Sequence, residues 1–268
     1  MRLLNVVEVQ NELLDLMKKL HAFLGEKAIA YYLLGGSALG AVRHKGFIPW
    51  DDDIDIGMVR DEYERFLSFA SEFDSTFEIV NFKTRKKCDF CLTRVYINGI
   101  IVDDPATRKT CLDHRLYLDI FPLDNVPDSD AELSGYEKKI VRRKKMMQRI
   151  DARDYGKGRR VLLLKKGLSF VLRPWRQRIL KRTDRLMKKY RGTKTARICS
   201  LSSQYSFARQ VMDKATYGTP VLMNFCDTMF YVPEKTEEYL TTLFGANYMD
   251  VPPEHKRRKG NNIYRVEG

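Results

Sequence analysis

Apolar residues recur at helical spacing through 6–24 (Val6, Val9, Leu13, Leu16, Leu20, Leu24), with acids and lysines between them, which predicts an amphipathic helix. The next apolar run, Ala28 to Leu34, stops at Gly35-Gly36 and reads as a buried strand or the entry to a tight turn. Ser37 follows both glycines and precedes Ala38-Leu39-Gly40-Ala41-Val42, so it is expected to cap the N-terminus of a second helix. Gly46 and Pro49 break the chain, and Trp50 to Gly57 reads as a loop entering a strand. A third helix begins at Asp61, with Tyr63, Phe66, Leu67 and Ala70 on one face. Residues 77–83 and 90–104 alternate as strands do, and Leu116 to Phe121 is a further strand that Pro122 should close. From about 131 to 197 the propensity is helical, interrupted by Gly156, Gly158, Gly167 and Pro174. Polar loops and short strands follow, with a last helix near 234–244.

Composition narrows the class. A chain of 268 residues that is 44% hydrophobic can bury a substantial core, so disorder is excluded. No uninterrupted apolar stretch reaches the roughly 18 residues of a membrane-spanning helix, and Glu8, Glu12 and Asp15 come too early for a secretory leader. Five cysteines, an odd count, point to free thiols and a reducing, cytoplasmic compartment. The net charge of +13 is unevenly placed: residues 138–197 carry +21 and the remainder −8. A mildly acidic body therefore holds one strongly basic segment, and the question becomes what that segment binds.

The densest chemistry lies in GGSALGAVRHKGFIPWDDDIDIG, residues 35–57. If Asp51, Asp53 and Asp55 alternate with Ile54 and Ile56 along a strand, the acids share one face and the isoleucines enter the core. Carboxylates at such spacing repel unless a cation bridges them, and hard oxygen ligands suit Mg²⁺ or Mn²⁺ bound together with a substrate phosphate. Gly35, Gly36 and Ser37 at a helix start would offer backbone N–H groups and a hydroxyl to a donor phosphate. Arg43, His44 and Lys45 are candidates to neutralise the same group, or else form a solvated helix end.

These residues resemble the signature of the LicD family, whose distant relatives include fukutin and fukutin-related protein. The similarity continues through Arg60-Asp61-Glu62-Tyr63, through Leu118-Asp119-Ile120-Phe121-Pro122-Leu123-Asp124, and through the stretch from Tyr239 to Pro253. The resemblance implies an α+β, nucleotidyltransferase-like fold: a small mixed sheet flanked by helices, here with a basic helical insertion. Residues 1–135 would form the catalytic core, 136–199 the basic segment, and 200–268 a C-terminal part completing the catalytic domain. It also implies metal-dependent transfer of a phosphorylated alcohol, phosphocholine or a polyol phosphate, from a CDP-linked donor to a cell-surface glycan or its lipid-linked precursor, with CMP leaving. Asp53, Asp55 and Asp119 would be the metal-binding and catalytic acids, with Asp103, Asp104 and Asp124 as competitors for the third place. The rival activity on the same scaffold is nucleotidyl transfer from a nucleoside triphosphate with pyrophosphate release.

Two features stand apart. Residues 157–182 mix bases with Val161, Leu162, Phe170, Trp175 and Ile179, a pattern that suits either an anionic membrane surface or packing on the protein's own core. The first alternative would hold the enzyme peripherally at the inner face of the membrane; nucleic acid is the weaker partner, because no recognised binding motif accompanies the charge. Cys88, Cys91, Cys111 and His114 have zinc-like spacing, although Cys91 also fits a buried strand position.

Overall fold

The computed structural model describes residues 1–85, 88, 91–104, 113–151, 173–257 and 260–266, side chains at 149–151 and 173 excepted. Its strands are β1 (Arg2–Leu3), β2 (Tyr32–Leu33), β3 (Asp55–Val59), β4 (Phe77–Val80), β5 (Thr93–Asp103), β6 (Arg115–Asn125), β7 (Arg197–Cys199), β8 (Met212–Asp213), β9 (Val221–Phe225), β10 (Thr228–Val232) and β11 (Asn262–Arg265). The helices are α1 (Val6–Glu26), α2 (Gly35–His44), α3 (Arg60–Phe69), α4 (Asp130–Asp151), α5 (Arg176–Met187), α6 (Phe207–Gln210), α7 (Lys214–Tyr217) and α8 (Thr236–Phe244).

The central sheet runs β1-β11-β5-β6-β3-β2, with β4 beside β5 and the β7–β8 pair continuing from the end of β6. Among the described residues only β3 and β6 pair in parallel; the other ladders are antiparallel, so the fold is the expected α+β mixed sheet with helices around it. Among the described residues no helix is long and apolar enough to cross a membrane.

Local chemistry explains the elements. Asn5 and Glu8 form a reciprocal capping box at the start of α1, with bonds of 3.0 and 2.8 Å. The apolar face of α1, from Val9 to Leu24, is then fully buried against the sheet, each large side chain contributing about 1.5–3 kcal/mol. The Ala28–Leu34 run yields only a two-residue strand, β2, in which Tyr32 and Leu33 pair with Gly57 and Ile56 of β3. Pro122 does not close its strand: β6 runs through it to Asn125. The proline falls between the stretch paired with β5, which ends at Ile120, and the stretch paired with β7, which begins at Asp124. No antiparallel neighbour asks for its missing N–H there.

Two cores result. The larger unites α1, the sheet and the C-terminal elements, so residues near both ends of the chain share it. The smaller lies under α4 and α5, where Tyr136, Ile140, Met147, Ile179, Leu180 and Met187 meet Phe82, Cys88 and Cys91. The described flanks of the basic segment thus bury their apolar face in the protein, while Trp175 stays 51% exposed with Arg178 over its ring. Residues 157–172 of the proposed membrane-binding stretch lie outside the described residues, as does Cys111.

Candidate active site

Ile54 and Ile56 are completely buried, and the Ile54 carbonyl accepts the N–H of Asp119 at 3.1 Å. This seats Asp55, the first residue of β3, directly beside Asp119 of β6 in the parallel register. Across β6, Asp119 faces Arg94 of β5, whose Nε donates to Asp119 Oδ1 at 2.9 Å. The alternation read from the sequence therefore holds for the isoleucines and Asp55. Asp51, Asp52 and Asp53 instead belong to a loop, not a strand. That loop still turns them into the cavity that Asp55, Asp119 and Arg94 line.

The C-terminal part of the chain fixes the acidic loop from outside. Asp52 Oδ2 accepts the N–H of Asn261 at 3.1 Å, and the Arg257 guanidinium lies 4.4 Å from the Trp50 ring centre. Gln10 of α1 donates to the carbonyls of Ile48 and Asp51 at 3.2 and 2.9 Å. Asp51 packs so closely on α2 that a Cβ at Gly36 would sit 2.8 Å from its Oδ2, which explains glycine at that place.

The start of α2 differs from expectation. Gly35 takes a φ of +52°, the left-handed region that glycine tolerates, and the helix begins there with Leu34 at the capping position. Ser37 is buried in the first turn, and its Oγ accepts the N–H of Asp55 at 2.9 Å. The Gly35 N–H donates to the Tyr239 hydroxyl at 2.8 Å. Both groups thus hold the strand and helix that carry the acids, and the Gly35 N–H is already engaged.

The cavity has a volume of about 690 Å³, and the described residues lining it include five aspartates and one cation, Arg94. Tyr117, Tyr205, Phe121 and Phe244 supply aromatic wall. The Arg94 guanidinium stacks 3.9 Å from the Tyr117 ring centre. Arg94 pulls the Tyr117 phenol down, yet burial and the carboxylates of Asp119, Asp53 and Asp55 outweigh it and push the phenol up to about 12. Those three carboxylates therefore act on one point.

A cavity with this many carboxylates suits a hard divalent cation. Among the described residues no three carboxylate, thiol or imidazole groups form a ready-made cage. Magnesium keeps several waters and takes one or two carboxylates plus substrate phosphates. Zinc's tighter, closed shell would need more protein ligands. Cys88 and Cys91 sit in the smaller core, with the Cys91 thiol pushed up by burial and held 3.8 Å from the Leu180 carbonyl.

Not every predicted residue reaches this cavity. Arg43, His44 and Lys45 occupy the other end of α2 and are not among its lining residues. Arg43 instead donates to the carbonyls of Tyr248 and Asp250, both at 3.0 Å, and through Nε to His44. Asp103 and Asp104 lie beyond the lining residue Val102. Asp124 is buried in a two-pronged bond with Arg60, 2.7 Å on each arm. The sequence reading missed Arg94, Tyr117, the Ser203–Tyr205 loop, Phe244 and Asn261. A charged residue interrupting an apolar strand was the available signal for Arg94; the polar loop offered none.

Residues 28–152 match the family model described as "LicD/FKTN/FKRP, nucleotidyltransferase domain". A Haemophilus influenzae protein named lipopolysaccharide cholinephosphotransferase LicD is 29% identical over 263 residues, spanning 96% of each chain. An uncharacterized Rickettsia prowazekii protein is 29% identical over 130 residues, covering 46% of this chain and 49% of its own. One from Rickettsia typhi is 43% identical over 61 residues, 23% of this chain and 20% of its own. The matched stretch runs from β2 through α4 and contains every one of the cavity's five aspartates, so the similarity to the LicD family lies in the part of the chain that carries the acids.

Proposed function

We propose that this protein is a LicD-type phosphotransferase that moves phosphocholine, or a related polyol phosphate, from a CDP-linked donor onto a lipopolysaccharide or similar cell-surface glycan, releasing CMP. The observation that carries the reading is Asp55 beside Asp119 in a cavity of five aspartates and one arginine. The name of the Haemophilus relative, similar along almost the whole chain, supports the choice of phosphocholine.

In this reading Asp53, Asp55 and Asp119 hold Mg²⁺ or Mn²⁺. When bound, the metal supplies Lewis-acid stabilisation of charge on the donor's phosphate oxygens. Asp119 is the carboxylate assigned to take the acceptor hydroxyl's proton, with the Arg94 Nε donating to its Oδ1. Arg94 also offsets negative charge as the donor's diphosphate enters an acidic cavity. Ser37 and Tyr239 act as positioning residues, holding Asp55 and the start of α2. Tyr205 and Phe244, paired edge to face at 5.9 Å, form the wall that excludes water and receives the alcohol.

A panel of CDP-linked alcohols offered with Mg²⁺ and a choline-free lipopolysaccharide tests the reading. CMP release that depends on donor, acceptor and metal is expected. Pyrophosphate release from a nucleoside triphosphate, with no CMP from any CDP-linked donor, would replace it with nucleotidyl transfer.

A further inference from the structure

A second cavity, of about 1240 Å³, opens between α4 and α5 over the end of β4. Its walls carry Lys139, Arg142 and Arg143 from α4, and Lys181, Arg182 and Arg185 from α5. None of these six side chains has an ion pair among the described residues. Three more lysines line it, and each is engaged: Lys83 by Glu64 at 3.1 Å, Lys188 by Glu64 at 2.6 Å and Asp184 at 2.8 Å, and Lys189 by Glu132 at 3.8 Å. Asp184, the one acid in the lining, is already shared between Lys188 and Arg60. The paired lysines brace the walls; the other six cations are surplus to the fold.

Like charges converging on one concavity raise its potential and favour an anion there. A single phosphate carries about −2, so matching six cations takes several. Four of the six are arginines, whose planar forks suit phosphate oxygens. Phe82, Met146 and Leu186 add apolar surface for a carbon skeleton. A flat bilayer or a duplex presents charge along a continuous surface, whereas these side chains line one solvent-open concavity between two helices. The cavity is also separate from the acidic one: Asp184 touches Arg60, just past the end of β3, while Asp55 is its first residue, about 16 Å away along the strand.

We propose that this basic cavity is a binding site for a compact, multiply phosphorylated ligand, with two or more phosphates on a carbon skeleton. The proposal stands whichever group the acidic cavity transfers.

Calorimetric titration at physiological ionic strength tests it, with myo-inositol hexakisphosphate as probe and inorganic phosphate and phosphatidylglycerol vesicles as separate arms. Saturable one-to-one binding of the hexakisphosphate is expected, at least about a hundredfold tighter than inorganic phosphate. The triple variant Arg142→Gln/Arg182→Gln/Arg185→Gln should weaken it at least about tenfold, and Asp55→Asn should leave it unchanged. A melting temperature at or above that of the parent verifies folding of the triple variant; if it falls, Lys139→Gln/Lys181→Gln replaces it with the same expectation. Equal binding by parent and variant, loss of binding in Asp55→Asn, or binding to vesicles without the soluble polyphosphate would overturn the proposal.

Discussion

Asp55→Asn should produce a more stable and inactive protein. Asp55 and Asp119 are register partners on neighbouring strands, so their carboxylates leave the same face about 5 Å apart. Two unit charges at that distance repel by about 1 kcal/mol in a water-like dielectric and about 3 kcal/mol at an effective value near 20. Arg94 on Asp119 offsets part of this, which favours the lower figure. Asparagine keeps the shape and removes the charge, and the bond from the Asp55 N–H to Ser37 is untouched. Without metal, the variant should therefore gain about 1 kcal/mol, a rise of roughly 2–4 °C in melting temperature for a chain of this size. If Asp55 holds the metal as proposed, turnover should fall by at least about a thousandfold. Scanning calorimetry of parent and variant, each with EDTA and with Mg²⁺, reads both effects. The parent should be stabilised by Mg²⁺ and the variant much less. A variant less stable than the parent in EDTA, or one that responds equally to Mg²⁺, refutes the electrostatic reasoning.

Ser37→Ala removes the acceptor of the Asp55 N–H and should destabilise by about 1–3 kcal/mol in urea unfolding, with turnover falling because β3 loses a fixed start. Arg60→Gln leaves the buried Asp124 without its two-pronged partner and should lose about 3–5 kcal/mol; adding Asp124→Asn should restore a good part, which a double-mutant cycle measures. Burial pushes the Asp124 carboxyl up to about 6 even with Arg60 pulling against it, so the single variant should take up a proton near neutrality. Glu64 is held at about 2, where burial alone would raise it, by Lys188 and Lys83; Asp113 is likewise held at about 2 by Arg115 and Arg85. Both stabilise the fold fully above their ordinary values of 4.5 and 3.8 and lose that contribution as pH falls toward 2. Glu64→Gln should flatten the acid limb of a pH–stability curve.

Elements with strong local periodicity were legible from residues alone, among them α1, α3, α8 and the two long strands. Asp55 was legible for the same reason, because Ile54 and Ile56 had to turn inward. Asp119 came from the LicD resemblance, since its own surroundings read as an ordinary strand. The cap assigned to Ser37 was not met because a glycine with positive φ let the helix start earlier, a preference of backbone geometry that the local pattern does not express. β1 and β11 could not be foreseen, since their short ladders exist only by pairing with each other and with β5. The large basic charge suggested a surface, yet the fold gathers six of its cations into a cavity between two helices whose approach no local rule dictates.

The bonds that close the acidic cavity join residues far apart in the chain: Gly35 to Tyr239 across 204 positions, and Asp52 to Asn261 across 209. Contacts of such high sequence separation form late in folding, after the loop entropy between them has been overcome. The carboxylates of β3 and β6 can come together earlier, but the pocket that encloses them cannot. A partly folded chain would thus expose its acids to water without a walled site. If the proposed cation binds there, its binding and the stabilisation it brings would then arrive together with the last strand, making a bound metal a sensor of completed folding.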